Sequence, residues 1–486
     1  MPASWLLAPL SLLPLLPAPP CPPFPNGEPD DPPWGAFRGP NGCGVGASKE
    51  LPNALSPDEN VLWRAEIPSG YSSPVVASDL VIVTGTEGKK LFTVALDRFT
   101  GAERWRAEAP EFDGKGPGAN SAAAPSPATD GERVYVIFHS FGLLAYDMQG
   151  KELWRKPLAP FNIPHGMSSS PVLAGDELIL MVDQDLGAYL AALDKKTGEE
   201  LWRVDRPTTT HGYSTPAVYR PEEGPAEIVV SGAFQVCGYS LADGKVLWWA
   251  DGMSWQAKAV PVIDGELCYV HSYMAAPAEI GLPRFTQTWE ELEAERDADG
   301  SGDISKDEWK DNEMMQMAWF IFDMNHDGVL DESDWEMMLR RNRAIGGLFA
   351  IRLGGRGDVT ETHVEWKYDD RRGLPDVPSP LLHAGSLFLV KEGGLFTAID
   401  PASGAVQKQG RVGEPDNYFS SPVGAAGKVV TASQGGQLSV ITADKEWEVL
   451  SVNDLGEEIW ATPAIADGQV IVRTSEALYC FGDAEG

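Results

Sequence analysis

A dipeptide of Ser or Thr followed by Pro, or a close variant of it, recurs through most of the 486-residue chain and constrains the fold more than any other feature. Each copy opens an apolar run, and most copies follow one another at intervals of 41 to 53 residues. A single interval of 119 residues indicates an inserted segment. The repeated prolines are Pro74, Pro127, Pro171, Pro216, Pro261, Pro380, Pro422 and Pro463. Every unit has short β-rich runs separated by Gly or Asp, which predicts a repeat protein built from small sheets.

A second signature closes many units and consists of an Asp, a Thr-Gly pair and then a Trp. It is complete in Asp97–Trp105 and in Asp194–Trp202. Trp366 and Trp447 are predicted to close two further units, whereas Lys408 stands at the Trp place of another. Thr-Gly supplies a tight turn between two strands, and a Trp ring can pack between neighbouring sheets. These residues are therefore interpreted as structural and not catalytic.

The two ends of the repeat region complement each other. The last unit, 462–482, has three strand-like runs, and the segment 61–67 before the first unit reads like the fourth strand of other units. Joining the two in one sheet would remove the open edges of the repeat array. The sequence therefore predicts an all-β fold, an eight-bladed β-propeller of four-stranded blades, with a small α-helical insertion in the fifth blade.

The insertion contains a strong metal-binding motif between about residues 282 and 344. Thr288 and Glu291 form a capping-box pattern that predicts a helix start. The twelve residues that follow this helix match the EF-hand calcium loop at every expected position, with Gly302 at the sharp turn. The predicted ligands are Asp297, Asp299, Ser301, Asp303 through its carbonyl, and the bidentate Glu308. The alternative is an acidic, solvated turn.

A second loop starts 26 residues after the first. Its predicted ligands are Asp323, Asn325, Asp327, Val329 through its carbonyl, and Asp334. Asp replaces the longer Glu at the twelfth position, which predicts weaker calcium binding or tolerance of magnesium. The short spacing predicts one helix shared by both loops, which would strain side-by-side pairing of the loops. The Met- and Phe-rich run 314–322 is expected to dock the insertion on its scaffold, or alternatively to bind a target.

The net charge limits the classes of partner that the protein can bind, and the N-terminal residues indicate its compartment. Lys+Arg total 38 against 71 Asp+Glu, giving a formal net charge of −33, which disfavours nucleic acid and anionic membranes and favours cations. An apolar stretch in residues 1–22 indicates a signal peptide, followed by a Pro-rich leader at 23–33. Propeller segments are expected at 34–281 and 345–486, without a later membrane span. The prediction is a periplasmic or secreted protein with calcium as its cofactor.

Loops before the first strand of each blade should converge on one mouth of the central channel. Because the insertion is predicted to follow the second strand of its blade, it should lie on the same face. The candidate ligand-binding residues are His165, His211, Tyr213, Lys258, Asp376, Asn417, Tyr418 and Glu458. A small ligand or an envelope protein is the expected partner. The alternative is that these side chains only bridge blades and waters.

The repeats resemble the pyrroloquinoline-quinone-like propeller family, which includes quinoprotein dehydrogenases and non-catalytic envelope propellers. The opening segment 34–42 and the closing segment 457–465 are similar to an exported bacterial branch of that family. The resemblance implies the propeller fold more firmly than an activity. Catalytic relatives usually carry adjacent cysteines, and no Cys-Cys pair occurs among the five cysteines here. The sequence thus predicts a non-catalytic, calcium-binding scaffold or recognition module, with a quinone-dependent dehydrogenase as the alternative.

Overall fold

The computed structural model of the protein describes residues 34–110, 120–274, 285–324, 327–344 and 346–483. Eight sheets surround a central axis, and each contains an antiparallel set of four strands, to which the sheet of the fourth blade adds a short fifth strand. The innermost strands are apolar and buried, while the outermost strands alternate between exposed and half-buried residues, because only one side of an outer strand faces a neighbouring blade. The predicted eight-bladed propeller is confirmed.

The first half of the chain begins with a short 3-10 helix at Pro40–Gly42 and one strand of the eighth blade, and the strands of the first four blades then follow in order. They are β1 (Val61–Glu66), β2 (Val75–Ala77), β3 (Leu80–Glu87), β4 (Lys90–Asp97), β5 (Glu103–Glu108), β6 (Ala128–Thr129), β7 (Arg133–Phe138), β8 (Gly142–Asp147), β9 (Glu152–Pro157), β10 (Val172–Ala174), β11 (Glu177–Val182), β12 (Tyr189–Asp194), β13 (Glu200–Asp205), β14 (Ala217–Tyr219), β15 (Glu227–Ser231), β16 (Gln235–Ser240) and β17 (Val246–Asp251).

The second half of the chain contains the insertion and the last four blades. Its elements are β18 (Val262–Asp264), β19 (Leu267–Ser272), α1 (Trp289–Arg296), β20 (Ile304–Ser305), a 3-10 helix (Lys306–Trp309), α2 (Glu313–Phe322), β21 (Val329–Leu330), α3 (Glu332–Arg343), β22 (Gly347–Arg352), β23 (Gly357–Asp358), α4 (Thr360–His363), β24 (Val364–Tyr368), β25 (Leu381–His383), β26 (Ser386–Lys391), β27 (Leu395–Ile399), β28 (Val406–Arg411), β29 (Val423–Ala425), β30 (Lys428–Ala432), β31 (Gln437–Thr442), β32 (Val449–Asp454), β33 (Ala464–Ala466), β34 (Gln469–Arg473) and β35 (Ala477–Phe481).

The two ends of the described chain meet in the eighth blade. Strand β1 pairs antiparallel with β35, with Arg64 opposite Tyr479 and Glu66 opposite Ala477. The sheet order is therefore β1-β35-β34-β33, in which the earliest strand forms the outer edge of the last blade. This pairing gives the eighth blade its fourth strand and completes the ring.

A circle of hydroxyl groups joins the inner ends of the blades and explains the Ser/Thr-Pro repeat. The residue before each blade-opening proline donates its backbone N–H to the side-chain oxygen of the equivalent residue in the next blade. The seven links measure 2.9–3.0 Å and join Ser73 to Ser126, Ser126 to Ser170, Ser170 to Thr215, Val260 to Ser379, Ser379 to Ser421, Ser421 to Thr462 and Thr462 to Ser73. Because the eighth position is Val260, Thr215 meets no hydroxyl there.

The Trp residues of the second signature join the blades farther from the axis. The Trp105 indole N–H donates to the Met148 carbonyl of the next blade at 3.0 Å. A Cβ added to Gly150 would lie 2.6 Å from the Trp105 ring, so only glycine fits beneath it. Equivalent Trp-to-carbonyl bonds start at Trp63, Trp154, Trp202 and Trp366. The structural role predicted for these indoles agrees with the geometry.

Trp447 does not close its own blade, and that expectation was wrong. It lies in the turn before β32 and packs edge-on against Phe396 of the preceding blade, with ring centroids 5.1 Å apart. Lys408, at the Trp place of that preceding blade, donates to the Trp447 carbonyl at 2.7 Å and lies 4.7 Å from its ring. An indole from the next blade thus fills the space that the missing Trp leaves.

The contact between the fourth and fifth blades is built differently from the other contacts. Trp248 is fully buried, and its indole donates to Glu227 within its own blade at 2.8 Å. Strand β23 leaves the fifth blade and pairs parallel with β17, placing Arg356 3.0 Å from the other oxygen of Glu227. This short strand and ion pair form a strap on the outer side of the contact that lacks a hydroxyl link.

The segment 34–55 lies across the channel at the end opposite the loops that precede the first strands. Trp34 bridges to Val76 in the first blade, and the Asn41 side chain exchanges two hydrogen bonds with the backbone of Val218 in the fourth. Arg38 is completely buried and donates from Nη2 to the Pro380 carbonyl at 2.7 Å. The segment therefore closes one end of the channel and leaves the other end as its mouth.

Candidate functional site

The first metal-loop sequence adopts a curled conformation in which carboxylates face one another. Oxygens of Asp297, Asp299 and Glu308 all lie within 4.8 Å of one another. Glu308 closes the loop, because Oε1 accepts the Ala298 N–H at 2.7 Å and Oε2 accepts the Ser305 N–H at 2.7 Å. Six to eight hard oxygens are what calcium requires, so this donor set fits that ion.

The remaining predicted ligands of the first loop lie on the same curl. Ser301 donates from its hydroxyl to the Asp303 carbonyl at 3.1 Å, which places these two oxygens side by side. Gly302 has φ +84°, a left-handed conformation that favours glycine. Its N–H donates to Asp297 at 2.9 Å. Backbone N–H donors lower the pKa of both Asp297 and Glu308, so these groups are carboxylates at neutral pH.

The second loop has similar backbone hydrogen bonds, but among its described residues no three carboxylates converge as they do in the first loop. Asp323 accepts N–H groups from Asp327 and Gly328, and Asp334 accepts the Met324 N–H at 3.0 Å. Asn325 lies outside the described residues. Burial, together with neighbouring carboxylates, raises the pKa of Asp334 to about 7. Val329, the predicted carbonyl ligand, is in strand β21.

The two loops pair side by side, which contradicts the expectation from their spacing. Strands β20 and β21 form a two-stranded antiparallel sheet, with Ile304 opposite Leu330. The connecting segment is not one helix, because a 3-10 helix ends at Trp309 and the Asn312 side chain then caps α2 by accepting the Met315 N–H. The break between these helices gives the second loop room to turn back toward the first.

The helices of the insertion enclose their own small core. Trp289, Trp309, Trp319 and Trp335 are buried there with Phe322 and several aliphatic residues. The Met- and Phe-rich run does not dock the insertion as expected, since its buried members face this core. Met317 and Phe320 are 76% and 67% exposed on α2.

Helix α3 docks the insertion on the propeller instead. Met337 packs with Phe234 and Trp255, which lie in loops of the mouth face. Arg340 donates to the Thr208 carbonyl at 3.0 Å, and the Arg341 guanidinium carbon lies 3.8 Å from the Trp255 ring centroid. The second metal loop is thus connected through one helix to the loops before the fourth and fifth blades.

The structure brings five of the predicted mouth residues into one neighbourhood. His165 is exposed, and its ring centroid lies 6.0 Å from that of Tyr213, which is also 6.0 Å from His211. Partial burial, with smaller effects of His211 and Lys258, lowers the pKa of His165. Lys258 forms an ion pair of 2.7 Å with Asp376. These contacts involve the mouth loops before the third, fourth, fifth and sixth blades.

Other predicted mouth residues have local partners. Asn417 donates to Gln434 at 3.1 Å, and Glu458 accepts the Trp460 indole N–H at 3.1 Å. Tyr418 does not reach the mouth, because it is 1% exposed and belongs to a buried apolar cluster.

Sequence reasoning missed several residues around His211. Asp185 lies 2.5 Å from Nδ1 of His211, and Gln256 lies 2.5 Å from its Nε2. Trp255 packs edge-on against the same ring at 5.0 Å. The sequence contains one indication of this contact. His211 and Gln256 are 45 residues apart, which is one repeat, so they occupy equivalent positions in the loops before neighbouring blades.

No helix in the described part of the chain combines the length and apolar character needed to cross a membrane. The cysteines among the described residues, Cys43, Cys237, Cys268 and Cys480, are buried and form no disulfide with one another.

Comparison with solved structures supports the fold. The chain is similar to BamB from Moraxella catarrhalis, with a TM-score of 0.53, 10% identity and coverage of 87% of this chain and 99% of that chain. It is also similar to the quinohemoprotein alcohol dehydrogenase from Comamonas testosteroni, with a TM-score of 0.58, 14% identity and coverage of 93% and 81%. A europium-containing methanol dehydrogenase has a TM-score of 0.56, 12% identity and coverage of 94% and 98%.

At these identities, the structural likeness shows the fold alone. No curated protein matches the chain by sequence. The sequence pattern of a family described as outer membrane protein assembly factor BamB matches residues 54–182 and 186–307, just over half of the chain. The chain therefore belongs to this BamB-like family of pyrroloquinoline-quinone-like β-propeller repeats.

Proposed function

We propose that the protein is a non-catalytic, extracytoplasmic β-propeller that binds calcium in its helical insertion and serves as a scaffold or recognition module. The observation that carries the metal assignment is the convergence of Asp297, Asp299 and Glu308 within 4.8 Å. Three carboxylates at this separation repel one another, and a divalent cation removes that repulsion. Ser301 and the Asp303 carbonyl add the neutral oxygens that a calcium loop uses.

The second loop is proposed as a weaker site. Asp334 is shorter than Glu by one methylene group and already accepts two backbone N–H groups at 3.0 and 3.5 Å. Reaching a cation bidentately is therefore harder for it than for Glu308. Pairing of the loops through β20 and β21 supports binding at both, because ordering one loop positions the other strand.

Docking supports a structural role for the metal. Helix α3 starts at the second loop and ends against Phe234 and Trp255 of the propeller. A cation that fixes the start of α3 also fixes the position of its docking end. In a compartment where calcium is plentiful, the ion would stay bound and hold the insertion on the mouth face.

Calorimetric titration of chelator-treated protein with calcium tests the metal proposal. We expect two binding events, with the tighter one lost in Glu308→Gln and the weaker one lost in Asp334→Asn. Glu336→Gln is the matched control, because Glu336 is exposed on α3 outside both loops. Identical isotherms for wild type and Glu308→Gln would refute the assignment.

Membership in the BamB-like family and the likeness to an envelope protein support the extracytoplasmic scaffold role. Fractionation of the native host with compartment markers tests the location, and a cytoplasmic result would contradict it. Pull-down with and without calcium would then test whether the mouth face binds an envelope protein.

A quinone-dependent dehydrogenase is the second candidate, favoured by the similarity to the quinohemoprotein alcohol dehydrogenase. The four described cysteines are buried and far apart in the sequence, so they do not supply the adjacent pair expected of catalytic relatives. Incubation with pyrroloquinoline quinone, followed by absorbance and dye-linked alcohol oxidation, separates the two candidates. Saturable binding with turnover would favour the enzyme.

A further inference from the structure

We propose that the seam between helix α3 and the channel mouth binds a small organic carboxylate, with Arg341 as the residue that receives the anion. The seam is defined here by Arg341, Trp255, His211, Tyr213 and His165. It goes beyond metal binding, because none of these residues belongs to either metal loop.

Arg341 is a buried cation without an anion. Arg341 is only 5% exposed, and its Nη1 atom is buried without a hydrogen-bond partner. Within the described part of the chain, no carboxylate forms an ion pair with it. Burial lowers the pKa of Arg341 to about 10, so the group still carries its charge at neutral pH. An isolated buried charge is costly, and a bound anion would offset that cost.

The guanidinium turns its N–H edge, not its face, toward the rest of the seam, and Nη1 on that edge is enclosed by protein atoms. Its face is covered by the Trp255 ring at 3.8 Å, so its N–H groups point outward in the plane of the guanidinium. The Trp255 indole nitrogen is itself buried without a partner, which adds a second unsatisfied donor beside the first. A carboxylate has two oxygens and can accept from both donors.

An aromatic row extends from this anion position to solvent. The Trp255 ring lies 5.0 Å from His211, which lies 6.0 Å from Tyr213, and Tyr213 lies 6.0 Å from His165. His165 is exposed, whereas Trp255 and Tyr213 are half-buried, so the row is open at one end. Flat side chains in a row favour a ligand with an apolar or aromatic body.

The surrounding charges favour a monoanion. His211 is held by Asp185 at 2.5 Å, and Lys258 is paired with Asp376 at 2.7 Å, so Arg341 is the charge that lacks compensation. A single guanidinium matches the charge of one carboxylate. A phosphate dianion would bring a second negative charge toward Asp185, which would repel it.

Benzoate is the probe for this site, with acetate and inorganic phosphate as comparisons at constant ionic strength. Titrations in one calcium-containing buffer keep the metal loops in the same state throughout. We expect saturable benzoate binding by calorimetry, weaker acetate binding, and a loss of at least about tenfold in benzoate affinity in Arg341→Gln. Arg372→Gln is the matched control, because this substitution removes the same charge from an exposed arginine.

A second readout measures binding in the wild-type protein and uses a conservative variant only to assign the signal. In wild-type protein with labelled arginine, benzoate should shift the side-chain NMR signal of Arg341, which Arg341→Lys identifies by its loss. Equal benzoate affinity in wild type and Arg341→Gln, or no response to benzoate and acetate, would overturn the proposal. Binding of phosphate alone through Arg341 would also overturn the carboxylate assignment.

Discussion

The hydroxyl groups before the blade-opening prolines act as acceptors between blades. Ser126 is a typical member, since its Oγ accepts the Ser73 N–H and its own N–H donates to Ser170. All three residues are buried, so a lost acceptor leaves a donor that water does not reach. Each hydroxyl therefore contributes to two blades at once.

Ser126→Ala should lower the free energy of unfolding by about 1–3 kcal/mol, because it leaves the buried Ser73 N–H without an acceptor. Denaturant unfolding measures the change. Ser69→Ala, at an exposed serine, should cost less than about 0.5 kcal/mol. Equal stability of Ser126→Ala and wild type would show that the hydroxyl circle does not stabilise the ring.

Acid should destabilise the protein partly through His271. This residue is fully buried on β19 with Nε2 2.6 Å from the Pro378 carbonyl, and burial lowers its pKa from 6.5 to about 4. Arg38 and Lys258 also lower this pKa, while Asp376 raises it. Since the unfolded chain takes up the proton near pH 6.5, stability is full above that pH and falls on acidification toward pH 4.

For one histidine with this shift, the fall approaches about 3 kcal/mol. His271→Gln, measured by denaturant unfolding at several pH values, should show a smaller fall between pH 6.5 and 4 than wild type. His383 has the same direction of shift and remains in the variant, so part of the fall should persist. Parallel curves for the two proteins would contradict this prediction.

At the scale of elements, the outer strap between the fourth and fifth blades replaces the usual Trp contact. Strand β23 pairs with β17, and Glu227, 2% exposed, accepts from both Trp248 and Arg356. The Arg-Gly-Asp tripeptide at 356–358 is part of this strap. Its backbone is held in the sheet rather than displayed as a free loop.

Glu227→Gln should cost about 1–3 kcal/mol of unfolding free energy, because it weakens two hydrogen bonds to a buried carboxylate. The double variant with Arg356→Gln should cost less than the sum of the single variants, since both remove one interaction. Glu365→Gln, which breaks an exposed pair with Arg352, is the control and should change stability by less than about 0.5 kcal/mol. Additive single effects would exclude the strap interaction.

The helix break in the insertion shows what local sequence can and cannot predict. The loop residues from Asp297 to Glu308 are recognisable because ligand spacing within twelve residues is a local pattern. The pairing of β20 with β21 depends on where the intervening chain turns. Asn312, a residue type that commonly caps helices, indicates in the sequence that a new helix starts there, but the prediction of one helix considered only the length of the segment. Docking through Met337 depends on Phe234 and Trp255, which lie about 100 and about 80 positions earlier in the chain, and no local pattern specifies such a contact.

At the scale of the whole molecule, the ring could be predicted because eight similar units all require the same neighbour on each side. The exceptions could not, because they arise where one unit departs from the repeat and another compensates. Trp447 fills the place of the Trp that Lys408 replaces, and the strap compensates for the altered contact at Trp248. Such compensating changes leave the repeat pattern of the sequence intact. They can be recognised only from the contacts between blades in the structure.

Removing residues 477–486 should prevent ring closure, because β35 pairs with both β1 and β34. The exposed edges would then favour association between chains. We expect a large loss of soluble monomer by size-exclusion chromatography, whereas removal of 484–486 alone should leave the monomer unchanged. A monomeric, cooperatively folded 1–476 chain would show that closure is dispensable.

The channel-closing segment has a consequence for the order in which the protein matures. Arg38 binds carbonyls 342 and 384 positions later in the chain, and Ser48 accepts from Gly468. The ribosome synthesises these partners last. The earliest described residues therefore stay without their native contacts until nearly all of the polypeptide has emerged. Closure of the channel is thus a late step in folding after synthesis. The segment 34–55 is the part of the chain that a chaperone would need to protect until then.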